Sequence, residues 1–466
     1  MGFFRVLNFG CRANQADGAA LQRQMLEEGW QEASEPEACD VALLNTCTVT
    51  ATADAELRKI VRRIHRQNPS CKILVTGCYA QRAPAELAAL DGVHWVVGNS
   101  HKQQIRELFQ KPSSDQGVPP SAGFFPLEGL QNQSSSSSDT SVPPETPRAK
   151  ILVGDIFEQR ELMAEPVYGK ERTRPTLKIQ DGCNARCSYC IIPYVRGRSR
   201  SLPPEKVLAE VHRLLGNGTQ EIVLSGINLG SYGKDLTPRI RFLDLVERIL
   251  SETPLPRLRI SSIEPMDVSK ELIRLVRSEP RMAKHFHIPL QSGCDRILRQ
   301  MNRRYWAKHY AERVLEVRES IPEAAIGADV MVGFPGETDE DHQTSARFIE
   351  SLPFTYLHVF PYSIRSGTPA AEQSGHLNGR ISRERSREIR TTMAAKRAAF
   401  MKAQVGGTLS VVTLEESSGG TRFEVSSNFL KVALPGAGLA PNRLLEVGIT
   451  GYRDNLLSGM AVPVEA

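Results

Sequence analysis

Cys183, Cys187 and Cys190 stand three and then two residues apart in the run QDGCNARCSYCIIPYVRGRSRS at 180–201, with Tyr189 just before the last. Three thiolates on one tight loop can hold three corners of an iron–sulfur cube, which leaves the fourth iron without a protein ligand. An open iron of that kind can bind a chelating substrate or cofactor. Zinc is the competing reading, because Cys187 and Cys190 alone have the spacing of a zinc knuckle. A structural zinc takes four ligands, however, and no further Cys or His lies nearby in the sequence.

A second set of cysteines is scattered. Cys11, Cys47 and Cys78 each follow a short apolar run, at 4–8, 41–44 and 73–75. In an open parallel sheet the loops after the strands' carboxyl ends line one crevice, so these three are expected to meet at one edge. Buried free cysteines are common, which is the bland explanation. Three at equivalent strand ends favour a second cluster site. Cys39 and Cys71 precede their strands and belong at the opposite edge as ordinary buried residues, and Cys294 reads as packing.

The elements that must position these thiols alternate. Apolar runs at 4–8, 41–44, 73–75 and 94–97 are separated by helix-like segments, the mark of an α/β domain with a parallel sheet over 1–110. Residues 111–150 are rich in Ser, Pro, Gly and Gln, with five consecutive serines, and read as a flexible linker. A core at 169–399 offers six strand candidates, at 176–180, 221–225, 257–261, 285–288, 327–332 and 356–360. Six units are too few for a closed eightfold barrel, so a partial (β/α)6 barrel is expected, with the cysteine loop after its first strand. Turns after later strands present Gly226, Ser262, Glu264, Gln291 and Gly333. Each alone is a weak signal. Together they describe a pocket for a nucleoside-like cofactor, with Glu264 free to take a ribose hydroxyl or an ammonium group and Gly333 letting backbone approach a flat ring. A helix over 380–404 carries eight Lys/Arg against two Glu, either a solvated face or a phosphate-facing one. The tail, 402–466, turns to period-two patterns and reads as a small all-β barrel of the kind that binds oligonucleotides.

Composition narrows the classes. The chain has 466 residues and a net charge of +5, and 40% of it is hydrophobic, ordinary for a globular protein and mildly permissive of nucleic acid. Nine cysteines are far too few for a disulfide scaffold. Neither a signal peptide nor a membrane span is expected, so the sequence points to the cytoplasm, with no membrane partner.

The cysteine loop, with an aromatic residue before its third thiol, resembles the signature of radical S-adenosylmethionine (SAM) enzymes. Over nearly the whole chain the pattern is similar to the methylthiotransferase branch of that superfamily. The resemblance implies a flavodoxin-like N-terminal domain, a radical SAM core and a C-terminal TRAM (OB-like) RNA-binding barrel. It implies that Cys183, Cys187 and Cys190 hold a 4Fe-4S cluster whose open iron SAM chelates, and that reductive cleavage of SAM yields a 5′-deoxyadenosyl radical. It implies that Cys11, Cys47 and Cys78 hold a second 4Fe-4S cluster that carries the sulfur delivered. The stretches LRISSIEP (258–265), HIPLQSG (287–293), HVFPYSIRSGTPA (358–370) and RGRSR (196–200) look like the branch that methylthiolates C2 of N6-threonylcarbamoyladenosine beside the anticodon of tRNA. Partners would then be a tRNA anticodon stem-loop, a reductant and a sulfur donor. Arg196, Arg198 or Arg365 is expected to meet the threonyl carboxylate. The alternatives are sibling enzymes acting on isopentenyl-adenosine or on an aspartate of a ribosomal protein, and an iron–sulfur RNA-binding protein without catalysis.

Overall fold

The computed structural model describes residues 2–109, 149–160, 162, 173–418, 421–435 and 440–462. The expected linker at 111–150 lies outside them but for its last two residues. The N-terminal sheet has six strands: β1 (Phe3–Asn8), β2 (Gln31–Glu32), β3 (Val41–Thr46), β4 (Lys72–Gly77), β5 (Val93–Gly98) and β6 (Lys150–Leu152). Their order is β2-β1-β3-β4-β5-β6 and every pairing is parallel, the doubly wound flavodoxin-like arrangement. Parallel strands are covered on both faces, and β3 is buried at all six positions. The helices are α1 (Arg12–Glu27), α2 (Ala51–Gln67), the short α3 (Cys78–Arg82) and α4 (Pro84–Ala88), and α5 (Ile105–Phe109). Leu57, Val61 and Ile64 recur at helical spacing along α2 and bury its inner stripe, while Thr50 caps its first turn by accepting from the Ala53 N–H. Two strands of this sheet went unforeseen: β2 and β6, at two and three residues, are too short to display a period.

The central region opens with β7 (Thr176–Lys178) and a small antiparallel pair, β8 (Gln180–Asp181) with β9 (Arg200–Ser201), that pinches the base of the cysteine loop. Then come β10 (Glu221–Ser225), β11 (Arg257–Ile260), β12 (His285–His287), β13 (Ala325–Val332) and β14 (Tyr356–Pro361). Two three-stranded parallel sheets, β7-β10-β11 and β12-β13-β14, are stitched by bridges of Leu258 to Met282 and Ser262 to His287. The result is the open six-strand half-barrel expected. Its helices are α6 (Ile192–Arg196), α7 (Pro204–Gly216), α8 (Phe242–Glu252), α9 (Lys270–Ser278), α10 (Asp295–Gln300), α11 (Ala307–Ser320), α12 (Asp339–Ser351) and the long α13 (Gly379–Lys402). One continuous apolar core joins these strands to the inner faces of α7, α8, α9, α11 and α12.

One face of the basic helix is solvated, with Arg380, Arg383, Arg387 and Lys402 exposed, but part of its charge is used inward. Arg385 is buried and ion-paired with Glu337 at 2.6 Å and Asp339 at 2.7 Å, Arg390 donates to the Val359 carbonyl, and Lys396 donates to the carbonyls of Glu350 and Leu352. Part of its charge therefore straps α13 onto the half-barrel.

Strands β15 (Thr408–Ser418), β16 (Thr421–Ser426), β17 (Lys431–Pro435), β18 (Leu444–Arg453) and β19 (Leu456–Ala461) close into a barrel in the order β15-β16-β17-β19-β18. It docks on the amino ends of the central strands. Arg259 clamps Glu221 and also donates to the Ser426 and Ser427 carbonyls at 2.9 and 3.0 Å, while Phe429 stacks on His285 with ring centroids 4.5 Å apart.

Glu424 on β16 is fully buried, and among the described residues neither of its carboxylate oxygens receives a well-formed hydrogen bond. Burial, only partly offset by Arg422 and the nearby Leu414 N–H, pushes its carboxyl from 4.5 up to about 7. The folded barrel then keeps a proton that the unfolded chain releases, so this group's contribution to stability falls as pH rises from 4.5 through 7 and stays low above it. The barrel's unfolding midpoint should therefore drop between pH 5 and pH 8, and Glu424→Gln should flatten that dependence. An unchanged slope in the variant would contradict the assignment.

Candidate metal and cofactor site

The loop carrying Cys183, Cys187 and Cys190 runs from the end of β8 to the start of α6. Its ends are tied together: Asp181 accepts two hydrogen bonds from Arg196 Nη1, at 2.9 and 3.0 Å, and one from the Gly182 N–H. Inside the loop, Cys183 Sγ accepts from the Ala185 N–H at 3.4 Å and lies 4.0 Å from Asn228 Nδ2. Cys187 Sγ accepts from Arg303 Nη1 at 3.4 Å, and the same guanidinium grips Glu264 and Tyr305. Burial raises the Cys183 thiol and pushes Cys190 up to about 12, so loading a metal must displace protons.

Cys11, Cys47 and Cys78 fall where the strand ends put them, at the N-cap of α1, just past β3 and at the start of α3. Asn14 and Asn45 cross-brace these loops: Asn14 Nδ2 donates to the Asn45 carbonyl at 3.0 Å, and Asn45 Nδ2 donates back to that of Asn14. Gly10, at φ +93°, allows the closest approach, since a Cβ there would lie 2.7 Å from Cys47 Sγ. Burial again raises Cys47, to about 12, and Cys78. Among the described residues no three Cys, His, Asp or Glu side chains are close enough to share one ion. A cubane takes each thiolate on a different iron, and looser trios suit it.

The two loops meet. Cys78 packs in one apolar patch with Ile191, the residue after Cys190, and with Val195, and Asn99 donates to the Val195 carbonyl at 2.8 Å. Beneath this patch lies a buried ion network shared by the two domains. Asp17 of α1 accepts from Lys102 at 3.0 Å, from Arg196 at 3.1 Å and from Lys178, while Lys178 also reaches Asp181 at 3.1 Å. Burial alone would raise the Asp17 carboxyl, but Lys102, Lys178 and Arg196 hold it down at about 2. A second tie joins Arg365 to Asp54 of α2 at 2.7 Å.

These pairings correct the expectation for the basic loop. Arg196 and Arg365 are buried and committed to carboxylates of the N-terminal domain, so neither is available to a substrate carboxylate; Arg198 alone of the three is exposed. The other anticipated residues gather unevenly. Glu264 borders the cysteine loop, as does Asn228, two residues past the anticipated Gly226. Gln291, in the left-handed region at φ +65°, and Asn228 each leave an amide oxygen without a partner among the described residues, which fits a ligand bearing N–H and O–H donors. Tyr189 packs with Met301, Met331 and Phe334, Gly226 abuts Gln180, and Ser262 bridges to His287. Gly333 does make a close approach, but to Ser382 of α13: a Cβ there would lie 2.1 Å from its hydroxyl. Arg303 escaped sequence reasoning altogether, since nothing in MNRRYW marks it. Cys39 and Cys71 lie Sγ to Sγ at 3.7 Å at the far edge, as expected, and Cys294 is buried.

Comparisons with known proteins agree with this geometry. A family model for the radical SAM superfamily matches residues 177–349, and one for the uncharacterized protein family UPF0004 matches residues 4–98. A threonylcarbamoyladenosine tRNA methylthiotransferase MtaB of Aquifex aeolicus is 36% identical over 88% of this chain and 92% of its own. The chain belongs to the radical SAM methylthiotransferase family. The MtaB protein of Bacillus subtilis is 33% identical over 96% of this chain and 94% of its own, and a tRNA-2-methylthio-N(6)-dimethylallyladenosine synthase of Pelotomaculum thermopropionicum is 32% identical over 98% and 97%. Among solved structures, the radical SAM methyltransferase TsrM from Kitasatospora setae superposes with a TM-score of 0.53 at 14% identity, covering 84% of this chain and 89% of its own, which supports the fold. Radical SAM methylthiotransferases use SAM and a 4Fe-4S cluster, and the three-thiol loop with its orphaned acceptors fits both. No helix among the described residues is long and apolar enough to cross a membrane.

Asp17→Ala would leave Lys102, Lys178 and Arg196 buried around a missing carboxylate. It should cost roughly 3–5 kcal/mol, read as a fall in the urea midpoint. A loss below about 1 kcal/mol would mean that the network is solvated and binds the domains weakly.

Proposed function

We propose that the chain inserts a methylthio group at C2 of N6-threonylcarbamoyladenosine, the modified base beside the anticodon of tRNA. The observation that carries the sulfur-insertion reading is the patch shared by Cys78, Ile191 and Val195, which sets the N-terminal thiols beside the radical SAM loop. The substrate rests on the MtaB relatives, at 36% and 33% identity, together with the stretches at 258–265, 287–293 and 358–370.

In this reading Cys11, Cys47 and Cys78 hold a second 4Fe-4S cluster. The charge around them supports it. Among the described residues, Lys102, Lys178, Arg196 and Arg200 share the buried carboxylates Asp17 and Asp181, four cations against two, with only the exposed Asp235 further off beside Arg200, and buried surplus charge calls for an anion such as a thiolate-ligated cluster. When bound, SAM and its cluster supply the radical that activates an inert C–H carbon. The protein's own part is positioning and exclusion of water. Arg303 donates to Cys187 Sγ and fixes Glu264, whose carboxylate then faces a cofactor's ammonium or hydroxyls together with the Asn228 and Gln291 amide oxygens. The N-terminal domain closes the barrel mouth through the Asp17 and Asp54 ion pairs, keeping solvent from reactive species. The exposed Arg198 is the guanidinium assigned to the threonyl carboxylate.

The test is nucleoside mass spectrometry of tRNA from a host lacking the activity, with and without this chain. A gain of methylthio on threonylcarbamoyladenosine is expected; a gain only on the isopentenyl nucleoside would overturn the substrate. Substituting Cys183, Cys187 or Cys190 by Ala should abolish SAM cleavage. Replacing Cys11, Cys47 or Cys78 should leave cleavage in place and stop sulfur insertion. Loss of cleavage from both sets would contradict the division of labour.

A further inference from the structure

The loops that follow β10 and β11 have two sides. Asn228 and Glu264 turn toward Cys183 and Arg303. A few residues further on, Gly230 and Asp267 line a separate cavity of about 380 Å3, a size that suits a nucleoside. Its walls include Ile240, Leu243 and Leu272, and its exposed lining carries the cations Lys234, Arg239 and Arg241 against one carboxylate, Glu271.

The Asp267 carboxylate is built into this cavity. A Cβ on Gly230 would lie 1.9 Å from Asp267 Oδ2, so glycine is what leaves room for it. Its one ionic neighbour is the largely exposed Lys234 ammonium at 3.8 Å, and among the described residues no donor hydrogen-bonds to it. A partly buried acceptor between apolar walls, with cations at the entrance, matches an unstacked nucleobase: the ring meets the walls, its donor edge meets the carboxylate and its phosphate meets the rim. Guanine fits best, because its N1–H and N2–H2 groups form adjacent donors for one carboxylate. We propose that this cavity captures a guanine of the tRNA near the modified base, so that the loops holding Asn228 and Glu264 are braced from behind when RNA is bound. The inference rests on the tRNA reading above.

The experiment measures binding of the full-length protein to a tRNA anticodon stem-loop carrying abasic or inosine replacements at single positions. Asp267→Asn should weaken binding about tenfold, as expected for loss of a bidentate base contact. One RNA position should show the same loss, with no further loss when RNA change and variant are combined. Leu243→Trp, which fills the cavity from its wall, should reproduce the defect, and SAM cleavage without RNA should be unchanged in both variants. The sign is diagnostic, because removing an ordinary surface carboxylate near RNA leaves binding equal or tighter. Equal or tighter binding by Asp267→Asn, or the absence of any coupled RNA position, would overturn the proposal. So would binding of free GMP that Asp267→Asn abolishes while RNA affinity stays intact, which would assign the cavity to a free nucleotide. Failure of the unaltered protein to bind the stem-loop would instead refute the tRNA reading itself.

Discussion

The constraint on which the rest depends is the buried pairing of Asp17 and Asp181 with Lys102, Lys178 and Arg196. Asp181 sits two residues before Cys183 and Arg196 six after Cys190, so one guanidinium nitrogen shared by both Asp181 oxygens closes the cysteine loop at its base. Asp17 lies in the helix whose N-cap position is Cys11, so the same guanidinium also holds the helix at whose start that trio begins. Burying charge is costly unless partners are well placed, and breaking such a set is costlier than never having built it. The network therefore acts as a registration device: the two domains fit in one relative position or leave charge stranded. A sulfur-delivering site needs that rigidity, because a small displacement between donor and acceptor removes the advantage of proximity.

At the opposite end of the half-barrel the C-terminal barrel is anchored just as firmly. Arg259 and Glu221 form a buried pair, with the Glu221 carboxyl held at about 2 by Arg259, Arg174 and Arg257 against the effect of burial. Phe429 sits in the left-handed region at φ +62°, a conformation costing about 1–3 kcal/mol for a bulky residue. Its ring stacks on His285 and lies beside Tyr356, whose hydroxyl reaches His285 and His287, and His287 in turn meets Asp329. A polar chain of His285, Tyr356, His287 and Asp329 thus leads from the contact with the C-terminal barrel into the half-barrel. It couples the docking of that barrel to the interior of the half-barrel.

Much of this was legible in the sequence because it depends on local pattern. The spacing of Cys183, Cys187 and Cys190 is local, and the six central strands declare themselves as apolar runs. The convergence of Cys11, Cys47 and Cys78 follows from one topological rule about strand ends. What stayed hidden is pairing. Arg196 looks like a basic-loop residue until Asp17, 179 residues away, is seen against it, and Arg365 until Asp54 is. A charge in sequence carries no mark of being buried, so RGRSR and the helix over 380–404 both read as surface. One signal was available and unused: Lys178 in β7 and Asp181 in β8 fall among buried positions, where an unpaired charge is rarely tolerated. The glycines directly before Cys11 and Cys78 were a second clue, marking backbone that must bend sharply to bring the thiols in.

The most direct test of the facing arrangement is electron paramagnetic resonance of anaerobically reconstituted, reduced protein, alongside iron quantitation. Two cubanes held against each other predict about eight irons per chain and signals broadened by mutual magnetic coupling. About four irons, zinc in place of iron, or two uncoupled signals would contradict the account.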